Sequence, residues 1–349
     1  MDPAQLVRLI VLSALTFVVA IAWTPLLTHV LYRFKLGKTI RSASSAPIAS
    51  KLHKKKSGTP TMGGVLVWLT VLMVASALLA VWTFAPHSLV GELSFLTRSQ
   101  TLLPLGALVA SALIGLVDDY LNVKRIGPHG GGISLLYRLG LYTIVSAIGA
   151  WWFFFKLDWD VFHVPFLGDF SVGVWYIPIF IIIVASTAFS VNETDGLDGL
   201  AGGGLMAAFG SFGAIAFAQG RFDLAAFCAA ILGALLAFLW FNINPARFFM
   251  GDTGAMGLGI TLGIVAMLTN MALLLPIIGL VFVIESLSVI VQTISKKLRG
   301  KKIFRSTPLH HHYEAIGWSE PKIVMRAWVI AAISALVGVA LALIDIGVS

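Results

Sequence analysis

The sequence predicts an all-α polytopic membrane protein with about ten transmembrane helices. Of its 349 residues, 58% are hydrophobic and only 11% are charged, a balance outside that of ordinary soluble domains. The hydrophobic residues form uncharged runs of roughly 20 residues, the length at which a helix crosses a hydrocarbon core. These runs are apolar on every face, which favours helices over a transmembrane barrel.

About ten runs have this length. In order they cover residues 5–32, 61–83, 101–120, 134–156, 174–191, 199–218, 223–242, 254–270, 272–295 and 323–345. The first run exceeds the core of a signal peptide, so we expect an uncleaved first span. The chain 1–349 is therefore predicted to form a single integral-membrane domain. Residues 157–173 alternate in polarity and predict a small external hairpin.

Lysine and arginine residues lie mainly at one end of these spans. Of the 24, all but Arg8, Arg98, Lys156 and Arg221 are assigned to that side. Because basic loops stay in the cytoplasm, this side is predicted to be cytoplasmic, with both termini outside. The net charge of +8 then reflects orientation and attraction to anionic lipid, and no nucleic-acid partner is expected. The single cysteine, Cys228, excludes a disulfide framework and a thiolate metal site.

Two acids, Asp118 and Asp119, end the third span on the cytoplasmic side. The helix dipole disfavours anions there, and adjacent carboxylates repel each other. Keeping both charged beside a bilayer requires a cation, and hard oxygen ligands suit Mg²⁺. The alternative is a pair of exposed interfacial acids that interact with Lys124 or Arg125.

A third acid, Asp252, opens the eighth span in a Gly-Asp-Thr-Gly segment. An N-cap is its simplest role, since aspartate is among the best capping residues. The same helix start also offers amides and a favourable dipole to a phosphate. A cap and a place in an active site are compatible, and both stay open here.

The segment between the fifth and sixth spans is unusually polar. It holds Asn192, Glu193, Asp195 and Asp198 within seven residues. Asp198 is a candidate cap for the sixth span, and Asp195 precedes a glycine in an ordinary turn signal. Four such side chains exceed what a turn needs, so we predict contacts with a nucleotide or with groups around a metal.

Three consecutive histidines, His310, His311 and His312, lie in a predicted basic loop on the same side. They cannot all face one metal on a helix, where successive side chains turn by about 100°. A zinc site is therefore discounted, and hydrogen bonds to phosphate or a base are predicted. A merely solvated loop is the alternative. Glu285, within the ninth span, fits either a structural hydrogen bond or a groove for an amphipathic substrate.

The segment Lys56 to Gly64 opens the second span. Pro60 suits a helix start, and Thr59 or Thr61 could cap the helix. The segment is not a P-loop, because the Gly-Lys-Ser/Thr order is absent. Local physics does not separate a cap from a phosphate clamp at this position.

Together these segments resemble the phospho-N-acetylmuramoyl-pentapeptide transferases, within the polyprenyl-phosphate hexose-1-phosphate transferases. The resemblance covers nearly the whole chain and rests on five motifs in order. They are Gly58-Thr59-Pro60-Thr61-Met62-Gly63-Gly64, Asp118-Asp119-Tyr120, the segment from Asn192 to Leu200, Phe249-Met250-Gly251-Asp252-Thr253-Gly254, and Pro308-Leu309-His310-His311-His312-Tyr313-Glu314. The stretch from Gly317 to Lys322 also fits.

This resemblance implies Mg²⁺-dependent transfer of phospho-MurNAc-pentapeptide from its UDP carrier to undecaprenyl phosphate, which yields lipid I and UMP. It also implies a cytoplasmic cleft in the bacterial inner membrane, and often a homodimer. By matched position, Asp118, Asp119 and Asp252 would be catalytic, and Asp252 and Asp119 would bind the metal. The implied substrate-binding residues are Lys56, Thr61, Asn192, Asp195, Asp198, His310, His311, His312 and Arg138.

One region departs from the family pattern. Residues 122–132 form a Gly-rich stretch, and Arg138 stands where a lysine is expected. Arg138 would hold a phosphate as a two-pronged fork instead of a point charge. By resemblance, Asp118 deprotonates the lipid phosphate for direct attack, while a covalent aspartyl intermediate is the rival route.

Two other functions remain to be weighed. A sister enzyme would transfer N-acetylglucosamine-1-phosphate to the same lipid and would carry similar acids. An ion-coupled transporter would place its acids near the bilayer midplane, commonly with internal repeats. The clustering of acids at one surface argues against the transporter, and the triple histidine and the Gly58–Gly64 motif favour the muramoyl-pentapeptide enzyme over its sister.

Overall fold

A computed structural model describes residues 2–37, 56, 58–86, 88–97, 100–128 and 131–348. Several basic residues used to orient the spans lie outside these ranges, namely Lys38, Arg41, Lys51, Lys54, Lys55 and Arg98. Residues 129–130 of the Gly-rich stretch also lie outside them.

Helices make up most of the described chain. In order they are α1 (Pro3–Arg33), α2 (Val65–Phe84), α3 (Leu102–Val123), α4 (Leu135–Lys156), α5 (Tyr176–Thr194), α6 (Leu200–Ala218), α7 (Phe222–Asn242), α8 (Gly251–Leu268), α9 (Leu275–Ile278), α10 (Leu280–Arg299), α11 (Leu309–Ala315) and α12 (Glu320–Val348). Among the described residues, nine helices are long and apolar enough to cross a membrane: α1 to α8 and α12. The predicted all-α membrane class is therefore confirmed, with span boundaries within a few residues.

The ninth predicted span, 272–295, is broken instead of straight. The helical segment Ala272–Ile278 meets α10 at an angle of 83°, and the count reaches ten only if this bent pair is one span. The buried face of α10 is mostly polar and includes Glu285, Ser286, Ser288, Gln292 and Ser295. Gln292, for example, donates from Nε2 to the Phe304 carbonyl at 2.9 Å. Glu285, Gln292 and Ser295 thus hold α10 against the segment that follows it.

The helix α8 lies at the centre of the bundle. All of its residues except Asp252 are buried. It approaches α3 closely because small residues face each other, and a Cβ atom added at Gly115 would collide with the Asp252 backbone. Thr253 Oγ1 also donates to the Ala112 carbonyl at 2.8 Å. This close contact brings the start of α8 against the acidic end of α3.

The hairpin predicted for residues 157–173 is present. Strands β1 (Val161–Val164) and β2 (Gly168–Ser171) pair antiparallel, with Val161 opposite Ser171. The last helix reaches this hairpin through Asp345, and Arg8 of α1 pairs with Asp223 at the start of α7, 3.0 Å away. Both ends of the described chain therefore lie away from the acids of α3 and α8.

A histidine attaches the hairpin to α12. His163 Nδ1 lies 2.6 Å from Asp169 Oδ1, and its Nε2 lies 2.6 Å from Asp345 Oδ2. Both ring nitrogens face carboxylates, an arrangement that favours the doubly protonated ring. Burial opposes this charge, but the hydrogen bonds to Asp169 and Asp345 outweigh burial and raise the pKa of His163 above its ordinary value.

We expect the stabilisation that this attachment gives to the folded state to be lost as the medium becomes alkaline. The pKa of His163 in the folded protein lies above its unfolded value of about 6.5. The stabilisation by the His163 attachment is therefore complete below pH about 6.5 and disappears as the pH rises through the folded pKa. Thermal unfolding of detergent-solubilised protein should be followed between pH 5 and 9, with His163→Gln as the control. A difference in midpoint between the two proteins that does not shrink with rising pH would contradict the attachment.

Candidate active site

The acids that end α3 are buried. Asp118 is 0% exposed and Asp119 is 3% exposed, so the alternative of exposed interfacial acids is wrong. The ammonium of Lys124 lies 5.8 Å from the centroid of the Tyr120 ring on its own helix. The cation beside Asp118 is Arg138, whose Nη2 lies 2.9 Å from Asp118 Oδ2. The pair is therefore formed inside the bundle, between α3 and the first turn of α4.

Arg138 also bridges two other elements. Its Nη1 donates to Asn192 Oδ1 at 2.9 Å and lies 3.4 Å from Asp252 Oδ1. Asn192 Nδ2 in turn donates to Asp252 Oδ1 at 2.6 Å. One guanidinium thus joins Asp118 of α3, Asn192 of α5 and Asp252 of α8 in a single polar cluster.

The predicted capping role of Asp252 is wrong. The helix α8 begins at Gly251, and Met250 occupies the N-cap position without a side-chain cap. Asp252 lies in the first turn, where its carboxylate contacts Asn192 and Arg138. A neighbouring amide of the helix start, Thr253 N, donates to Asp119 Oδ2 at 3.0 Å. Asp119 from another helix therefore satisfies an amide at the helix start, and Asp252 is left for the cluster.

Asp119 holds two segments together. Besides the Thr253 amide, it accepts a hydrogen bond from Thr61 Oγ1 at 3.1 Å. Thr61 does not cap α2, which begins four residues later with Gly64 at its N-cap. At the start of α8, Gly251 has a φ of +74°, and a Cβ atom added to it would lie 2.5 Å from Asp119 Oδ2. Only glycine fits this corner without displacing the carboxylate.

The polar segment 192–198 connects the cluster around Asp118 to a second cluster. Asp195 Oδ2 accepts from the Gly251 amide at 3.1 Å. Asp198 does not cap α6, because Gly199 at φ +83° takes the N-cap position. Asp198 instead accepts hydrogen bonds from Lys56 Nζ at 2.6 Å and Asn244 Nδ2 at 2.9 Å. The segment therefore joins the Asp118 cluster to a second ionic cluster around Lys56.

The histidines lie on a short helix, α11, and not in a loop. His310 is 1% exposed, and its backbone N and Nδ1 lie 3.1 and 3.0 Å from Glu285 Oε2. Glu285 therefore has the structural hydrogen bond that was one of its two predicted roles. The other two rings face elsewhere: His311 Nδ1 lies 2.8 Å from Glu314 Oε2, and His312 Nδ1 accepts from the Arg305 amide at 3.2 Å.

The opposite side of the His310 ring faces segment 192–198. Among the described residues, His310 Nε2 is buried without a hydrogen-bond partner. A Cβ atom added at Gly196 would collide with this nitrogen. The glycine thus admits the imidazole beside the peptide that carries Asp195 and Asp198, and the three groups of predicted site residues meet along one segment.

Comparison with known proteins identifies the family. Residues 101–270 match the model described as glycosyl transferase family 4, and residues 56–66 match phospho-N-acetylmuramoyl-pentapeptide-transferase signature 1. A phospho-N-acetylmuramoyl-pentapeptide-transferase of Shouchella clausii is 40% identical over 93% of this chain and 94% of its own. The relatives of that name in Chloroflexus aggregans and Bacillus anthracis are 36% and 39% identical, over 97% and 95% of this chain and 91% and 97% of their own.

The chain belongs to the phospho-N-acetylmuramoyl-pentapeptide-transferase family. The resemblance drawn from the five motifs is thereby confirmed, and the protein is a multi-pass membrane transferase. The N-acetylglucosamine-1-phosphate transferase and the ion-coupled transporter are not favoured. The matched signature contains Lys56 and Thr61, which lie in two different clusters of the site.

The predicted metal was tested against the oxygen atoms of the site. Within the residues that the structure describes, no three His, Cys, Asp or Glu side chains form a ready-made metal cage. Asp118 and Asp252, however, flank one guanidinium, and Asp118 Oδ2 lacks a hydrogen bond although it lies 2.9 Å from Arg138 Nη2. Mg²⁺ usually binds one or two carboxylates together with substrate phosphates. The transferase site fits that mode of binding.

Sequence reasoning missed two polar residues of this transferase site. Asn244 donates to both Asp198 and Glu320, at 2.9 and 3.1 Å. Glu320 accepts from the Asp198 amide at 2.7 Å. Each lies in a segment that reads as an ordinary connection or helix start, so only long-range contacts identify it. For Glu320, its place in the matched stretch 317–322 was the available signal.

Proposed function

We propose that the protein transfers phospho-MurNAc-pentapeptide from UDP-MurNAc-pentapeptide to undecaprenyl phosphate, forming lipid I and releasing UMP. The observation that carries this proposal is the convergence of Asp118, Arg138, Asn192 and Asp252 from four helices in one cluster. The names of the relatives supply the transferred group. We place the cluster on the cytoplasmic side of the bacterial inner membrane, because most of the Lys and Arg residues are assigned there.

The two substrates are both anionic and repel each other. Mg²⁺ held by Asp252, beside Asp118, would neutralise phosphate charge and align the reacting oxygens when bound. Arg138 contributes a fixed positive charge between the same two carboxylates. Asp119, the second metal ligand implied by the resemblance, already accepts hydrogen bonds from Thr61 and the Thr253 amide, so in this proposal it acts on the metal site mainly through local structure and charge. Positioning and charge neutralisation are then the main contributions of the protein.

The reaction proceeds by direct attack in this proposal. Asp118 accepts the proton of the lipid phosphate, and a phosphate oxygen of the lipid attacks the phosphorus next to the sugar. The bond from that phosphorus to the bridging oxygen breaks, and UMP leaves with the electron pair. Lys56, Asp198 and His310 lie around segment 192–198 and bind the nucleotide sugar.

An open apolar cavity lies beside His310 on the surface of the bundle, and we propose that it holds part of the lipid chain. It measures about 260 Å³ and is lined by Ile284, Leu287, Ser288, Val291, Phe304 and Leu309. Nearly all of these side chains are apolar, and Leu309 directly precedes His310. An isoprenoid chain in this cavity would approach the nucleotide site from α10, the helix that bends away from its predicted path.

Donor specificity tests the proposal. Purified protein with Mg²⁺ and undecaprenyl phosphate should be given UDP-MurNAc-pentapeptide or UDP-GlcNAc in separate reactions. We expect lipid-linked product and UMP from the first donor only. Product from UDP-GlcNAc alone would assign the sister activity. Uptake of a substrate into proteoliposomes without UMP release would instead indicate a transporter.

We expect Gly196→Ala to impair the reaction about as strongly as His310→Ala, by roughly ten- to 100-fold in kcat/KM. The added methyl group cannot coexist with His310 Nε2, so the imidazole must leave its place. Gly210→Ala is the matched control, because its Cβ atom would find only Leu232 at 3.9 Å. Steady-state kinetics with varied nucleotide sugar measures the effect, and a fully active Gly196→Ala enzyme would refute this placement of His310.

A further inference from the structure

Glu320, in the first turn of α12, connects three segments of the site. Its Oε1 accepts hydrogen bonds from Lys56 Nζ and from the Asp198 amide, the latter at 2.7 Å. Its Oε2 accepts from Asn244 Nδ2 at 3.1 Å. These donors precede α2, precede α6 and follow α7, so one carboxylate holds three connections that are distant in sequence.

Lys56 is held from two sides in this arrangement. Its ammonium lies between Glu320 and Asp198, and 5.6 Å from the centroid of the Phe249 ring. The Asp198 side chain is 2% exposed and that of Glu320 is 12% exposed, whereas Lys56 is 19% exposed. A lysine has a long flexible stem, and two carboxylates restrict it to one position. The two charge-assisted hydrogen bonds also strengthen the contact in this poorly hydrated place.

We propose that Glu320 is a positioning residue for the transfer reaction, which holds Lys56 and segment 195–199 in the geometry that receives the diphosphate of the nucleotide sugar. The proposal rests on the function proposed above. Without Glu320, the Asp198 amide loses its acceptor and Lys56 keeps only one of its carboxylates. Ordering both groups would then fall to the substrate, which weakens its binding.

The role of Glu320 differs from general support of α12. That helix is fixed at other points: Trp328 Nε1 donates to the Gly199 carbonyl at 2.9 Å. Gly338 also packs directly against Ile278. Substituting Glu320 should therefore change the position of Lys56 more than the stability of the bundle.

Kinetics of Glu320→Ala test this proposal. We expect KM for UDP-MurNAc-pentapeptide to rise about tenfold, the size expected for one charge-assisted hydrogen bond, with kcat changed less than about threefold. Glu320→Gln keeps one acceptor oxygen for the Asp198 amide and should lose less than Glu320→Ala. Lys322→Ala is the matched control, because this residue of the same helical turn is exposed and its ammonium lies 4.7 Å from the centroid of the Trp318 ring.

A double substitution distinguishes positioning from independent action. If Glu320 acts partly through Lys56, adding Glu320→Ala to Lys56→Ala should raise KM by clearly less than the roughly tenfold rise that Glu320→Ala causes alone, because only the contact with the Asp198 amide is then lost. A slight recovery is also consistent, since two carboxylates without Lys56 repel each other. A further full tenfold rise of KM in the double variant would overturn the proposal. For Glu320→Ala alone, two results would overturn it: wild-type kinetics, or a fall of kcat as large as the rise of KM together with a lowered unfolding temperature. An inactive wild-type enzyme would instead overturn the proposed function.

Discussion

Asp118→Asn is expected to slow the chemical step by about 10²–10⁴-fold, the usual cost of removing a well-placed base. The amide cannot accept the proton of the lipid phosphate at useful rates. It can still accept the hydrogen bond that the Ile133 amide donates to Asp118 Oδ1 at 2.6 Å, so the local fold should persist. Single-turnover assays measure the chemical step, and nucleotide affinity is measured separately and should stay close to that of the wild type.

The size of the loss also separates the two mechanistic routes. Removal of a covalent nucleophile would block the reaction almost entirely instead of slowing it. Asp119→Asn is the comparison, because Asp119 contacts Thr61 and the Thr253 amide and should act through local structure. A phosphosugar trapped on either aspartate would exclude direct attack while leaving the transferase assignment intact.

Asp252→Asn is expected to abolish turnover at limiting Mg²⁺ and to leave the protein folded. Asp252 does not cap α8, so the amide removes charge from the cluster without removing a cap. The stability of the metal-free variant should therefore remain near that of the wild type. An isosteric amide retains one oxygen, but it no longer offers the anionic ligand that Mg²⁺ prefers.

Two measurements check this expectation for Asp252. Turnover of the wild type and of Asp252→Asn should be measured as Mg²⁺ is titrated. The rise in unfolding temperature that Mg²⁺ causes in the presence of nucleotide sugar should then be compared between the two proteins. Asp223→Asn is the control for a lost carboxylate, because Asp223 lies at the start of α7 and pairs with Arg8, away from the site. Near-native turnover of Asp252→Asn at limiting Mg²⁺, or an undiminished Mg²⁺-dependent shift, would contradict the assignment.

The spans and the convergence of the acids were predictable because hydrophobic length and charge placement act over whole helices. The runs at 101–120 and 254–270 correspond to α3 and α8, and the acids at their ends meet in space. The hairpin was also predictable, since alternation of polarity is a local signal. In each case the sequence property and the structural consequence cover the same residues.

The capping roles were not predictable, because caps compete with partners from distant segments. Thr61, Asp198 and Asp252 are good capping residues, yet each has a partner more than 40 residues away: Asp119, Lys56 and Asn192 respectively. These contacts replace the local ones because they satisfy charges that the bundle buries.

Tracing the two phosphates of the donor tests the central claim most directly. UDP-MurNAc-pentapeptide labelled at the phosphate next to the sugar, and separately at the phosphate next to uridine, should be incubated with undecaprenyl phosphate and Mg²⁺. The proposed transfer predicts that the first label enters the lipid and the second leaves in UMP, in equal amounts. Both products should form far more slowly with Asp118→Asn. Finding both labels together in the lipid, or both retained in intact donor while the lipid is unchanged, would contradict it.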